Sequence, residues 1–379
     1  MRNERNNRLL TRALLLLAVS VQLSTVGAAT AVSDSVAYRA GRWFQYVPYG
    51  HSLYADEHPD YMRVDLGAVS NTPEANYGGS PAKYSAQMFA VFGARISIWS
   101  IDLQERRFGL NISQTASAHM WMDISEHTTS PVVNTDFRVG SPTLTFIHRL
   151  QGKEAVPFLR NYSLMFCPFK HESTHIGDEM VLQRADRGYA LRRVNVSYNY
   201  AELDVTLNEP EDRYLQTHTF RLGLLLLLNP QQGWYWLDSR DGDVNNIASN
   251  QPVRSNRNGL PERSGPSGLP FELWLQYQFQ SACSPHGFQA IVSAEVRNRA
   301  LYGYSLTETA HSSEPRWSAA DSHRFTYSVF VGARYNMPRY DGYFSRVALG
   351  IRAYHGNCPY GMFRSINNFS HIGLCIVYQ

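Results

Sequence analysis

Most of this chain is divided into short stretches in which apolar and polar residues alternate. One clear example places Phe271, Leu273, Leu275, Tyr277 and Phe279 on the same face. Successive side chains of a β-strand point to opposite sides of the sheet, so this pattern predicts strands with one apolar and one polar face.

Twelve such stretches can be recognised, and an even number of strands with one apolar face is typical of a transmembrane barrel. The predicted fold class is therefore all-β: a single antiparallel up-and-down barrel of about 12 strands, whose narrow to medium lumen is partly filled by Arg, Glu and Tyr side chains. The predicted strands lie near residues 61–69, 86–103, 108–124, 139–150, 158–182, 190–208, 214–228, 271–280, 288–299, 322–335, 343–356 and 368–379.

The connections between these strands alternate in length. Short ones are predicted at 104–107, 151–157, 209–213, 281–287 and 336–342, and the longest of the others is Asn229–Pro270. With the C-terminus in the periplasm, the short connections are periplasmic turns and the long ones are extracellular loops.

The N-terminus has the features of a signal peptide. Four arginines precede the apolar run Ala13–Val19, and Ala29-Thr30-Ala31 forms an A-x-A cleavage pattern. We therefore predict a removed leader at 1–31 and a mature barrel domain at 32–379, placed in a bacterial outer membrane by the barrel-assembly machinery. Beyond the leader, no stretch reaches the roughly 18 apolar residues of a spanning helix.

Charge limits the classes of partner. The formal net charge is +3, and the leader, with four arginines and one glutamate, accounts for all of it. A nearly neutral mature chain argues against a nucleic-acid partner, which requires a basic face. The expected partners are outer-membrane lipids and lipopolysaccharide.

Four cysteines, Cys167, Cys283, Cys358 and Cys375, enter an oxidising compartment. The predicted topology puts Cys283 in a periplasmic turn and Cys358 in an extracellular loop, too far apart for a disulfide. We expect unpaired cysteines.

One polar segment has residues suited to chemistry. His171, Ser173 and His175 share one face of a strand, and a serine beside an imidazole is the minimal nucleophile–base pair for acyl transfer. This His-x-Ser tripeptide resembles that of outer-membrane phospholipase A and of the lipid A 3-O-deacylases. Ser173 would be the nucleophile and His171 the base, and the orienting residue is left open among four on the next strand: Asn195, Asn199, Glu202 and Asp204.

The face on which this segment lies is less favourable to lipid hydrolysis. Tyr162, Leu164 and Phe166 predict that even-numbered positions face lipid, which puts His171 and Ser173 in the lumen. A bulge at Pro168 would exchange the faces, but it would turn Lys170 and Glu172 inward.

The two acidic residues after this segment suggest a second type of site. Asp178 and Glu179 are candidate ligands of a divalent cation that bridges lipopolysaccharide phosphates. No other cofactor is expected.

Three stretches together resemble a known family. They are Asn134–Gly140, Arg193–Tyr198 and the C-terminal Tyr354–Phe363, read in order with the His-x-Ser-x-His-x-Gly-Asp-Glu segment. In combination they are similar to domain-of-unknown-function family 1207, over roughly residues 40 to 379. This resemblance implies a secreted outer-membrane barrel and brings no established activity.

Three classes of function follow from these features. The leading interpretation is a non-enzymatic membrane protein, as a small channel, a binder or a scaffold. The alternative is a lipid hydrolase that uses Ser173 and His171. A third, adhesion, depends only on the length of the loop Asn229–Pro270.

Overall fold

The computed structural model of the 379-residue chain describes most of the predicted barrel. The described residues are 41–70, 85–104, 106–125, 130, 132–151, 158–177, 193–211, 215–228, 234–237, 271–299, 305–307, 316–318, 324–337, 342, 345–360 and 369–379. Within these ranges no helix is long enough and apolar enough to cross a membrane. The predicted leader 1–31, the pair Asp178 and Glu179, and residues 238–270 of the predicted loop lie outside the described residues.

Twelve strands close into an antiparallel barrel, which confirms the predicted fold class. Each strand pairs with its neighbours in sequence, and the last strand pairs with the first to close the ring. The strands are β1 (Met62–Ser70), β2 (Ser85–Leu103), β3 (Phe108–Asp123), β4 (Val132–Gly140 and Thr143–Arg149), β5 (Asn161–Ile176), β6 (Arg193–Leu207), β7 (Thr217–Leu227), β8 (Phe271–Gln280), β9 (Phe288–Arg299), β10 (Arg324–Asn336), β11 (Arg346–Gly356) and β12 (Phe369–Tyr378).

Four short strands lie outside this ring. Arg42–Trp43 pairs with Trp99 and Ser100, near the C-terminal end of β2, and Trp234–Leu237 pairs with β6. Ser305–Thr307 and Arg316–Ser318 form a separate hairpin. The connections at the end where β2 meets β3 have 4 to 11 residues, and those at the other end are longer, as predicted, except for 124–131, which has 8.

The barrel has an apolar outside and a polar inside. Large exposed side chains cover the outside, including Phe92, Phe137, Leu222, Leu275, Val331 and Leu374. Buried polar side chains point inward from the same strands, including His119, Glu172, Arg221, Gln276, Glu295 and Arg334. An apolar exterior on a closed barrel is the arrangement that lipid requires, because every backbone group is paired within the ring. The architecture is that of an outer-membrane protein.

The lumen is occupied by residues 45–61, which precede β1 and are called the inner segment below. Leu53, Tyr54 and Ala55 are almost completely buried. The backbone amide of Tyr54 donates to Gln278 of β8, and that of Ala55 donates to Ser293 of β9, at 3.0 and 3.1 Å. The barrel therefore has a filled lumen rather than an open one.

An ion pair and a hydrogen bond connect the inner segment to the strands of the barrel. Asp60 accepts a hydrogen bond from Arg95 of β2, and the backbone carbonyl of Asp56 accepts one from Arg63. Gly93 of β2 leaves the space for this approach, because a Cβ there would lie 2.9 Å from backbone atoms of Asp60 and Tyr61. Such buried polar contacts hold the segment in one position.

Two strands differ from the predicted boundaries. β4 begins at Val132 rather than near 139, and it is interrupted at 141–142. β5 ends at Ile176 rather than near 182. The alternation in β4 changes phase at the interruption: even-numbered side chains face inward in Val132–Gly140, and odd-numbered side chains face inward in Thr143–Arg149. A prediction that assumes one uniform period along a strand gives the wrong facing for the residues beyond a change of phase.

None of the four cysteines is joined to another in a disulfide. Cys167 and Cys375 point from β5 and β12 into the interior, and Cys358 is buried just after β11. Cys283 lies in the short turn between β8 and β9, at the opposite end of the barrel from Cys358.

Candidate functional site

A β-bulge in β5 determines which way the polar segment faces. Cys167 pairs with Glu202 of β6 and Lys170 pairs with Tyr200, so β5 has one residue more than β6 between these two pairs. Phe166 before the bulge and Phe169 within it are both exposed to the outside. An extra residue of this kind moves all later side chains to the other face.

After the bulge, the odd-numbered side chains point toward lipid. Glu172 and Thr174 are almost completely buried, while His171 and Ser173 are half-buried and His175 is exposed. The prediction from a uniform period, that His171 and Ser173 face the lumen, was therefore wrong, and the alternative of a bulge at Pro168 that exchanges the faces is confirmed. The error arose from assuming that the alternation keeps one phase along the whole of β5, whereas the bulge shifts it by one residue.

The two charged residues that the bulge turns inward both find partners. Lys170 forms an ion pair with Glu202 of β6. Glu172 accepts a hydrogen bond from Arg138 of β4 at 2.8 Å. Buried charges are tolerated when they are paired in this way, so the lumen compensates for the exchange of faces.

The lipid-facing side chains form two hydrogen-bonded pairs. Ser173 Oγ lies 3.0 Å from His175 Nε2. His171 Nδ1 lies 2.8 Å from Oδ1 of Asn199 on β6, directly opposite in the register. An amide oxygen accepts only, so Nδ1 of His171 carries the proton and its Nε2 lone pair is free.

Of the four candidate orienting residues, the structure brings Asn199 to His171. Glu202 is engaged with Lys170, and Asp204 is buried on the lumen side. For Asn195 the backbone lies in β6, but its side chain is outside the described residues. Sequence spacing could not select Asn199, because the selection depends on the register that the bulge sets.

The neighbour of Ser173 on the other side is aromatic. Phe137 of β4 pairs with Ser173 in the register, and its ring centroid lies 6.1 Å from that of His175. Phe137 is half exposed to the outside of the barrel. The hydroxyl of Ser173 thus lies beside an imidazole and next to a phenyl ring on the outer face of the barrel.

A second lipid-facing Ser–His pair provides a comparison. His355 Nδ1 on β11 lies 2.7 Å from Ser370 Oγ on β12. Here the serine bonds to Nδ1 and stands on the neighbouring strand, whereas Nδ1 of His171 is bonded to an amide. A serine–histidine contact alone is therefore not specific to the β5 site, and the amide-oriented imidazole distinguishes that site.

Metal ligands form no cluster in the part of the chain that the structure describes. Asp178 and Glu179 follow the last described residue of β5, so the cation site stays a prediction.

Comparison with known proteins gives fold-level likeness alone. No family model matches the chain, so the resemblance to family 1207 also stays a prediction. No curated protein matches either.

Several solved structures are similar in architecture. Outer membrane phospholipase A from Escherichia coli is 10% identical, with a TM-score of 0.40 over 84% of this chain and 90% of that one. The translocator domain of the autotransporter NalP from Neisseria meningitidis is 9% identical, with a TM-score of 0.39 over 84% and 86%. A FadL homologue from Pseudomonas aeruginosa is 10% identical, with a TM-score of 0.32 over 84% and 86%. These three barrels differ in their named functions, so the likeness does not choose among functions for this chain.

Proposed function

We propose that this chain is an outer-membrane lipid hydrolase that cleaves acyl esters with Ser173 as its nucleophile. The observation that carries the proposal is the lipid-facing position of Ser173 between two imidazoles, one of which is bonded to Asn199. Nucleophile, base and orienting group are the three parts that activate a serine hydroxyl.

His171 is assigned as the general base. Its bond to Asn199 fixes the tautomer, leaves Nε2 free to take the hydroxyl proton and stabilises the imidazolium that results. In the resting arrangement the hydroxyl bonds to His175 instead. Residues 171 and 175 flank Ser173 on the same face at equal spacing, so rotation about χ1 of Ser173 redirects Oγ from one imidazole toward the other.

The reaction is a two-step acyl transfer. Ser173 Oγ attacks the ester carbonyl carbon, its proton passes to His171 Nε2, and the leaving alcohol oxygen takes that proton as its bond to the acyl carbon breaks. Water then attacks the acyl carbon of the acyl-serine and gives a proton to His171 Nε2. His171 returns this proton to Ser173 Oγ as the bond between Oγ and the acyl carbon breaks, and the fatty acid leaves. The first step needs a nucleophile that meets lipid from the side of the barrel, which is where Ser173 lies.

The filled lumen supports this function over that of an open channel. The inner segment crosses the interior, and the cavity beside it has a volume of only about 50 Å³, enough for a few water molecules. Some polar groups of the wall also pair with one another across the strands, as Arg138 does with Glu172. Chemistry on the outer surface does not need the lumen at all.

The direct test is hydrolysis by the refolded, purified barrel. Phospholipid and lipid A are supplied in mixed micelles, and fatty acid and lysolipid are measured by mass spectrometry. A fluorophosphonate, which phosphonylates activated serines, is expected to label Ser173, as read from the mass of its peptide. Absence of both product and label under every lipid condition would contradict the proposal.

A second expectation concerns conductance. Because the inner segment fills the lumen, planar bilayers containing the refolded barrel should show no steady single-channel current. A porin reconstituted in the same bilayers is the positive control. Reproducible current steps from this barrel would mean that the inner segment leaves the lumen, and they would favour the channel interpretation.

A further inference from the structure

An apolar groove lies on the outside of the barrel next to the proposed catalytic pair. Its volume is about 590 Å³, within the range of small-molecule sites. Three alanines form its floor: Ala94 of β2, and Ala116 and Ala118 of β3. We call it the alanine groove.

The sides of the groove are large apolar residues. Phe92 of β2 and Met62 of β1 form one side, and Phe137 and Val139 of β4 form the other. Phe92, Phe137 and Val139 are each about half exposed. These residues all alternate onto the lipid-facing side of their strands, so the groove opens to the membrane rather than to the lumen.

The register links this groove directly to the site. Ser173 pairs with Phe137, and Phe137 pairs with Ala118. His171 pairs with Val139, which pairs with Ala116. One strand therefore separates the floor of the groove from the Ser173–His171 face, and His171 itself borders the groove.

The three alanines lie together on two neighbouring strands, since Ala94 pairs with Ala116 and Ala118 is the next lipid-facing residue of β3. Elsewhere on the outer surface, large residues such as Leu222, Leu275 and Val331 fill the space. Small residues framed by two phenyl rings leave a trough in that surface. A flexible hydrocarbon chain fits such a trough and gains contacts on three sides that it would not have on a flat wall.

We propose that the alanine groove holds one acyl chain of the lipid whose ester Ser173 attacks. This inference rests on the proposed hydrolase function and adds the part of the substrate that is recognised. With the chain held beside β4, the carbonyl at its head is kept close to Ser173. The energy of chain binding thereby contributes to positioning the ester for attack.

The groove is tested by filling it. In Ala116→Phe the new ring points to lipid, where Ala116 is exposed, so the barrel is expected to fold normally. Hydrolysis of a dipalmitoyl phospholipid should fall by about tenfold or more relative to hydrolysis of a dibutyryl one. Ala294→Phe, a lipid-facing alanine on β9 across the barrel, is the matched control and should leave the ratio unchanged.

A binding measurement separates the two proposals. Ser173→Ala protein is mixed with a phospholipid that carries a photoactivatable group on one acyl chain, and labelled peptides are mapped. Labels should concentrate on β2, β3 and β4, and Ala116→Phe should remove this concentration.

The outcomes are distinct. Concentrated labelling without any hydrolysis by the unmodified chain would reject the hydrolase but keep the groove as a lipid site. Hydrolysis that depends on Ser173, with an unchanged chain-length ratio in Ala116→Phe and labels spread evenly around the barrel, would reject the groove alone.

Discussion

Ser173→Ala is expected to lower ester hydrolysis by a factor of about 10⁴, because the variant keeps the lipid surface but loses the group that forms the acyl intermediate. His171→Ala should cause a loss of similar size, since the hydroxyl would have no oriented base. The two losses should not add in the double variant, because nucleophile and base act as one unit. Initial rates on dipalmitoyl phospholipid give all three values.

Asn199 should have a smaller effect than either. It holds His171 through one neutral hydrogen bond, of about 1 kcal/mol, so Asn199→Ala should lower the rate by about fivefold. His175→Ala distinguishes the two imidazoles. If His175 contacts the hydroxyl at rest without serving as the base, its removal should leave the rate within about tenfold of that of the unmodified chain.

Ser370→Ala is the matched control for this series. It removes the other lipid-facing serine–histidine contact, and the rate should be unchanged. Full activity in Ser173→Ala would reject the hydrolase. A complete loss in His175→Ala, with normal activity in His171→Ala, would keep the nucleophile but move the role of base to His175.

Arg297→Met is expected to destabilise the barrel by about 3–5 kcal/mol, because it leaves several buried carboxylates without their cation. Arg297 of β9 lies within 4 Å of four of them: Glu295 at 2.9 Å, Glu57 and Glu272 at 3.7 Å, and Asp56 at 3.8 Å. It also stacks over Trp274 with its guanidinium carbon 4.3 Å from the ring centroid. Two of these carboxylates belong to the inner segment, so the variant should also loosen that segment.

Denaturant unfolding of the barrel in lipid vesicles, followed by tryptophan fluorescence, measures this effect. Arg42→Met is the control, since Arg42 is exposed and its removal should cost little. The deficit of Arg297→Met should shrink in acid, where protonation removes the uncompensated negative charges. An unfolding midpoint equal to that of the unmodified chain would show that other cations in the lumen replace Arg297.

Much of the barrel could be predicted from local pattern. Where one face of a strand meets lipid and the other meets polar groups, apolar and polar residues alternate in the sequence, as along Phe271–Gln280. The number of strands and the alternation of connection lengths followed from it. The inner segment could not be found in this way, because a chain crossing a polar lumen has no regular period and its residues 45–61 read as a loop.

For the candidate site, too, part of the arrangement could be predicted from the sequence and part could not. The sequence by itself determined that His171, Ser173 and His175 share one face, because this requires only the two-residue period of a strand. Only the tertiary structure decided that this face is the outer one, that Asn199 stands opposite His171, and that the alanine groove lies one strand beyond Ser173. The reason is the extra residue between Cys167 and Lys170. A bulge is a property of two paired strands. Pro168 marked a place where one could lie, but whether it forms and which partners it brings together cannot be read from the period of one strand.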